Sequence, residues 1–510
     1  MNEPAPPAEG DVARLAAGAG IAMTGKLSSR ALFAASQIVL ARVLGPAAFG
    51  VYALAWAILR LLGAFTSLGL DRGVIWFAAP FWSCKDRPGL NSVLNRATVL
   101  AVAGGMALAG LLILASPGLE RLFDEPGLGS ILGWFALALP LFGLLRVLAA
   151  ATRLTQRVHY SILAEELALA AANLVIIFLL VLALGRGLAG ASLAVPLSFL
   201  FASLLAGFYV VRLFPGAGRP AAQPAVSIRS LLAYSLPTAV AGVFTTATTW
   251  TDRLFLGLFL SANEVGIYQA VTQVSLLFAI ALQAVNAIFA PMIADLYHRQ
   301  QMTRLNELYK ISTKWGVYAS IPVFLTIAFV PAQLLEVIFG AAYTGGTLPL
   351  RILAVAQLFN VASGAVGFLL IMTGRERFWL RLTGLALGLN LALNWLLVQR
   401  AGLVGAAIAS GVTTTFLYSA ALLGLRRQLG LWPYDRRYLK GLAAGLAATG
   451  AIWLFLRLAP AEPAIRAFGA AGTAGLVFAA GLLLLGLEDE DRAFVQLLRR
   501  PLRQEAGHAG

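Results

Sequence analysis

The sequence predicts an all-α integral membrane protein of about 14 transmembrane helices. Two parallel six-helix lobes around a central cavity, plus a C-terminal helix pair, make up the expected architecture. Three observations carry it. The chain of 510 residues is 59% hydrophobic and 12% charged, with a mean hydropathy of +0.82, and soluble domains carry about twice that share of charge. Apolar runs of roughly twenty residues recur from end to end, each long enough to cross a hydrocarbon core about 30 Å thick. Two short stretches also recur at nearly one offset, which marks an internal repeat.

The first ten residues, MNEPAPPAEG, are Pro-rich and acidic. A secretory signal begins with basic residues, so 1–14 reads as a disordered cytoplasmic tail. Hydropathy and Gly/Pro punctuation then place spans near 16–40, 47–70, 91–115, 130–151, 160–184 and 187–213. These form an N-lobe over 15–214. The Pro-rich stretch from Pro215 to Ser227 has no apolar run and reads as a cytoplasmic linker over 215–228. Spans near 230–259, 265–290, 315–339, 348–373, 378–399 and 401–425 form a C-lobe over 229–427. The last pair, near 438–458 and 464–487, belongs to 428–487, and 488–510 is a cytoplasmic tail.

The repeat supports this division. Leu44 to Tyr52 (LGPAAFGVY) recurs as Leu260 to Tyr268 (LSANEVGIY), and Gly187 to Ala194 (GLAGASLA) recurs as Gly402 to Ala409 (GLVGAAIA). Both offsets span six helices. An even number preserves orientation, so the repeats are parallel, with a site expected between them.

The formal charge of +15 does not require nucleic acid, because the basic residues are dispersed among short loops instead of gathered on one surface. Sorted by connection, 27 Lys and Arg fall on one side and eight on the other. The positive-inside rule then puts both termini in the cytoplasm. A lone cysteine, Cys84, excludes an intrachain disulfide, and the three scattered histidines suggest no metal cluster. The stretch Gly20 to Lys26 (GIAMTGK) mimics a phosphate-binding loop, but Leu27 follows it and no strand precedes it. No ATP site, and no cofactor beyond an unidentified coupling ion, is expected.

Ionisable side chains within a span are costly and mark functional candidates. Lys26 and Arg30 share one face of the first helix, Arg60 sits mid-way along the second, and neither span holds an acid. An anionic ligand such as a pyrophosphate would balance them through bidentate hydrogen bonds. The plainer reading has Lys26 snorkelling and the arginines paired with carbonyls or with Glu165 or Glu166. Asp252 and Arg253 in the seventh helix read either as a gate or cavity pair or as a mutual surface pair. Gln273, Asn173, Asn360 and Asn390 suit sugar hydroxyls, although helix-to-helix bonding is the commoner use of such amides.

The stretch from Arg30 to Arg72 resembles the opening of the Wzx-like polysaccharide-biosynthesis flippases of the multidrug/oligosaccharidyl-lipid/polysaccharide exporter superfamily. The first helix runs into A-R-x-L-G-x-x-x-F-G-x-Y, here Ala41 to Tyr52, and the second ends in Ser-Leu-Gly-Leu-Asp, here Ser67 to Asp71. Arg30, Arg42 and Gly45 also match the R-x11-R-x-x-G pattern of the related peptidoglycan-precursor flippases, without the acid carried there; Ser36 and Gln37 occupy that region. The resemblance implies a non-enzymatic flippase of the bacterial cytoplasmic membrane that moves undecaprenyl-pyrophosphate-linked oligosaccharide to the outer leaflet for O-antigen, capsule or exopolysaccharide assembly. Its implied partners are the lipid-linked oligosaccharide, membrane lipid and other polysaccharide-assembly membrane proteins. Competing expectations are a multidrug or cation exporter of the same superfamily, which would favour acids in the N-lobe, and a membrane glycosyltransferase, which needs a sizeable outer loop.

Overall fold

A computed structural model describes residues 9–155, 158–215, 226–278, 289, 292–486, 488, 490 and 491. Those residues are helical throughout, with no strand among them. Helix α1 (Glu9–Thr66) is followed by α2 (Leu70–Ser83), α3 (Arg87–Phe123), α4 (Leu128–Ala136) and α5 (Ala138–Arg153). Next come α6 (Val158–Ser161), a π-helical stretch over Ile162–Ala168, α7 (Leu169–Ile177), a second π stretch over Phe178–Ala183, and α8 (Gly187–Leu213). The C-terminal half contains α9 (Ile228–Phe259), α10 (Ala262–Ser275), α11 (Met302–Phe329), α12 (Pro331–Phe339), α13 (Thr347–Ala362) and α14 (Val366–Met372). Helices α15 (Glu376–Leu429), α16 (Tyr438–Leu458) and α17 (Pro463–Leu484) complete the chain.

Nine helical stretches among the described residues are long and apolar enough to cross a membrane, or ten if the pair α11 and α12, bent by 92°, counts as one. Two of them, of 60 and 54 residues, would run about 80–90 Å if straight, some three times the hydrocarbon thickness. Each is broken at a glycine within its long helix. Gly45 (φ 73°) breaks α1 and Gly402 (φ 54°) breaks α15, both in the left-handed region that a side chain disfavours. Pro46 follows the first break directly and suits the first turn of the new arm.

Helix α9, expected as an ordinary span, is not among the nine. Its middle carries Thr245, Thr246, Thr248, Thr249, Thr251, Asp252 and Arg253, and these polar side chains lower its hydropathy because the helix lines cavities within the protein. The expected linker lies largely outside the described residues, as does the second half of the span near 265–290. At the N-terminus, the helix begins at Glu9, inside the stretch expected as a tail. The GIAMTGK stretch lies wholly within α1.

Core packing separates two ends of the molecule. At one end a continuous apolar core joins both halves through Tyr52, Phe135, Leu256, Tyr268 and Tyr343. At the other end the packing splits into two cores, one around Val74, Leu94 and Val147 that also takes in Leu231 from the start of α9, the other around Leu305, Leu369 and Leu425. Repeat-related residues meet at the joined end. A Cβ on Gly50 would lie 1.6 Å from the Ala262 carbonyl oxygen, and one on Gly266 2.0 Å from that of Pro46, so the arms cross backbone to backbone. Around the crossing, Arg42 donates to the carbonyls of Ile338 (2.8 Å) and Val337, and the Tyr343 hydroxyl donates to that of Ala41 (2.7 Å).

The C-terminal pair packs on α11 through Leu325, Ala444, Ile452 and Phe478. A cluster of ions fixes the end of the described chain beside it. Lys314, 1% exposed, pairs with Asp491 at 2.8 Å, Arg437 with Glu490 at 2.9 Å and Lys440 with Glu488 at 2.6 Å.

Candidate functional site

Between the halves lie two cavities of about 310 and 340 Å³ that share Phe33 and Trp250 in their walls. The first belongs to the N-terminal half. Arg30 enters it from the first arm of α1, Arg60 from the second, Arg146 from α5, and Glu165 and Glu166 from the π stretch. A π turn widens the helix and is common at functional sites. Arg30 and Arg60 are therefore brought together, as their positions near the middle of two spans suggest. Lys26 is exposed and absent from the cavity wall; only its carbonyl takes part nearby, accepting from the Ser29 hydroxyl at 3.2 Å.

The cavity is not purely cationic, which corrects the sequence expectation. Arg146 is held by Asp71 at 2.6 Å and lies 3.9 Å from Glu165, which also pairs with Arg153. Glu166 accepts the Ser29 hydroxyl at 3.3 Å. Among the described residues, Arg30 and Arg60 have no hydrogen-bond or ion-pair partner, and Arg60 lies over the Phe142 ring at 5.6 Å. An aromatic face holds a guanidinium without spending its donors. Three cations against two carboxylates leave the lining with one net positive charge, and the uncommitted positive groups are Arg30 and Arg60. Phosphate-type oxygens suit such a pair.

The second cavity belongs to the C-terminal half. Asp252 and Arg253 both line it, 3% and 6% exposed, so they are not a surface pair. Nor do they pair with each other. The Asp252 carboxylate accepts from Tyr268 (2.9 Å), Asn394 (2.9 Å) and Ser410. Arg253 donates to Gln269 (3.1 Å), to Thr272 (2.6 Å) and to the Thr249 carbonyl (2.6 Å), with its guanidinium 4.9 Å from the Trp250 ring. Gln269 in turn donates to Gln37 of α1 at 3.2 Å, a polar link between the halves deep within the protein.

Sequence reasoning missed Arg146, which falls inside the expected span near 130–151 and lines the N-terminal cavity. Its signal was the apolar run continuing for five residues beyond it. Glu165 and Glu166 entered the reading only as partners for arginines. Two adjacent acids within an apolar span were the available cue.

The model of a family described as polysaccharide biosynthesis protein matches residues 39–346. Among curated proteins, the chain is 25% identical over 217 residues to a probable low-salt glycan biosynthesis flippase, Agl15, of Haloferax volcanii, covering 41% of this chain and 45% of that protein. It is 24% identical over 414 residues to the probable flippase AglR of the same organism, covering 79% and 82%. The chain thus spans less than half of the first of these relatives and most of the second. Among solved structures, the lipid II flippase MurJ in an inward closed conformation superposes with a TM-score of 0.73 at 14% identity, covering 93% of this chain and 99% of that one. An inward-facing multidrug transporter of the MATE family superposes at 0.65 with 17% identity, covering 79% and 94%. These likenesses establish the fold as that of a helical membrane transporter.

Proposed function

Because the chain belongs to the polysaccharide biosynthesis protein family, we propose that it is a flippase for undecaprenyl-pyrophosphate-linked oligosaccharide, working by alternating access of its two lobes. The supporting observation is the pair Arg30 and Arg60, facing one cavity with no anionic partner of their own. In this reading the pyrophosphate sits between the two guanidiniums while the polyprenyl tail stays in lipid. Lys26, outside the cavity wall, attracts the headgroup at most over a distance. The joined end, where α1 meets α10, faces outward, and the opposite end faces the cytoplasm, in keeping with the charge bias of the connections. Both termini are then cytoplasmic and the membrane is the bacterial cytoplasmic membrane, where the product feeds surface polysaccharide assembly. An exporter of cationic drugs fits less well, because the carboxylates of this cavity are partnered and the arginines are not.

The test is native mass spectrometry of gently solubilised wild type beside an Arg30→Ala/Arg60→Ala variant. Wild type should carry a polyprenyl-pyrophosphate glycan and the variant should not. Two folded proteins that both lack one would remove the assignment and leave the arginines structural.

A further inference from the structure

The C-terminal cavity differs from its neighbour in a way that the pyrophosphate reading does not use. Its two charged residues are already committed to neutral partners, Asp252 to three donors and Arg253 to three acceptors. What remains free is neutral. Among the described residues, the Gln273 amide, the Trp379 indole N–H, the Thr414 hydroxyl and the Tyr418 hydroxyl line the cavity without a hydrogen bond. Asn360 donates to Gln357 at 3.0 Å, which leaves its Oδ1 without a donor. Helix-to-helix bonding accounts for Asn173, which reaches Ser198 at 3.5 Å, and for Asn394, which reaches Asp252. It does not account for these other groups.

Unspent neutral donors and acceptors beside two aromatic rings, Trp379 and Tyr418 with centroids 6.5 Å apart, match a ligand with many hydroxyls, no charge and apolar ring faces. That ligand is a sugar. A pocket left polar in this way rejects groups that cannot pair with it. At about 340 Å³ it falls within the usual size of small-molecule sites. It also adjoins the arginine cavity at Phe33 and Trp250, so one headgroup can occupy both.

Resting on the proposed function, we infer that the C-terminal cavity is a glycan subsite: the arginine cavity takes the phosphates and Gln273, Asn360, Thr414, Trp379 and Tyr418 take the first neutral sugars. The protein then reads the headgroup in two chemically distinct halves, each held by one lobe.

The experiment titrates the purified full-length protein with two probes, a bare polyprenyl pyrophosphate and the same lipid carrying a short neutral oligosaccharide, and reads the ratio of the two affinities. Wild type should prefer the glycosylated probe by about tenfold, the equivalent of one or two net hydrogen bonds. In Gln273→Leu/Tyr418→Phe the ratio should fall towards one. In Arg30→Ala/Arg60→Ala both affinities should drop. A ratio is insensitive to a fraction of unfolded protein, so a folding defect does not imitate the expected result. Equal affinities in wild type, with binding still dependent on the arginines, would overturn the glycan subsite and leave the phosphate reading intact. The same holds if Gln273→Leu/Tyr418→Phe keeps the wild-type ratio. No binding of either probe by wild type would overturn both.

Discussion

Replacing Gly50 by Ala should force open the end of the molecule at which the lobes are joined. The new Cβ would sit 1.6 Å from the Ala262 carbonyl oxygen and 2.8 Å from the Gly266 nitrogen. The obstacle is backbone on both counts, so no side chain can rotate away. Ordinary contact between carbon and oxygen needs about 3.3 Å, which requires the arms to part by roughly 1.7 Å. A shift of that size stretches the Tyr343 to Ala41 and Arg42 to Ile338 bonds, now 2.7 and 2.8 Å, beyond hydrogen-bonding range. Overpacking costs about 1–3 kcal/mol and each lost bond about 0.5–1.5 kcal/mol. The joined arrangement therefore loses about 3 kcal/mol relative to the parted one, which shifts that equilibrium by about a hundredfold. Spin labels at Ala47→Cys and Ala342→Cys, in a Cys84→Ser background because Cys84 is exposed, report the separation. Gly50→Ala should lengthen the distance distribution relative to Gly50. An unchanged distribution in a folded, monodisperse protein would refute the argument that this crossing holds the end shut.

Other predictions follow from the ion pairs and buried groups. Glu166→Gln removes one negative charge from the arginine cavity and should tighten binding of a polyprenyl pyrophosphate by about three- to tenfold, about 1 kcal/mol of Coulomb energy at an intermediate dielectric, while slowing its release; direct titration and dissociation rates check both. Asp252→Ala deprives Tyr268, Asn394 and Ser410 of their common acceptor and should cost about 2 kcal/mol or more, read as a lower midpoint of thermal unfolding in detergent. At the C-terminal end, the Lys440 hydrogen bond holds Glu488 below its usual 4.5, and the Asp491 carboxyl, raised by burial but lowered more by Lys314 and Trp315, lies below 3.8. Lowered carboxyl values stabilise the docked end at neutral pH, and that contribution is lost as pH falls through the lowered values. Hydrogen exchange at the Glu488 and Asp491 amides, corrected for its intrinsic pH dependence, should lose protection below about pH 4 and keep it from pH 5 to 8.

Much of this molecule was legible in the order of its residues. Bilayer-length apolar runs announce themselves because no other solvent tolerates them, and two glycine-bearing repeats gave the pairing of the lobes. Gly187 and Gly402, matched by sequence, both take a positive φ, 52° and 54°. Legibility failed where a side chain answers to the interior of the protein instead of to lipid. Helix α9 is too polar for a lipid-facing span because its threonines, Asp252 and Arg253 look into protein. Arg146 was passed over near the end of its span because linear position cannot tell a helix end in the headgroups from one in a cavity. The commitments of Arg253 to Gln269 and of Arg146 to Asp71 depend on residues 16 and 75 positions away, a separation that periodicity does not encode. The uncommitted state of Arg30 and Arg60 has the same origin, since a missing partner shows only when the neighbours are in place.

The crossing of Gly50 and Gly266 has the geometry of an isologous contact, in which a patch meets its own equivalent across a two-fold axis. Such contacts normally join identical subunits. Here the two copies lie in one polypeptide, so the chain carries within itself the kind of interface that two identical lobes would form. In a true homodimer one base change alters both sides at once, whereas a fused pair can vary each side separately. The crossing withholds that freedom at these two positions, because a methyl group on either one meets the other's main chain. The cavity walls carry no such constraint, and they differ between the halves, with Arg30, Arg60 and Arg146 in one and Gln273, Asn360, Thr414 and Tyr418 in the other.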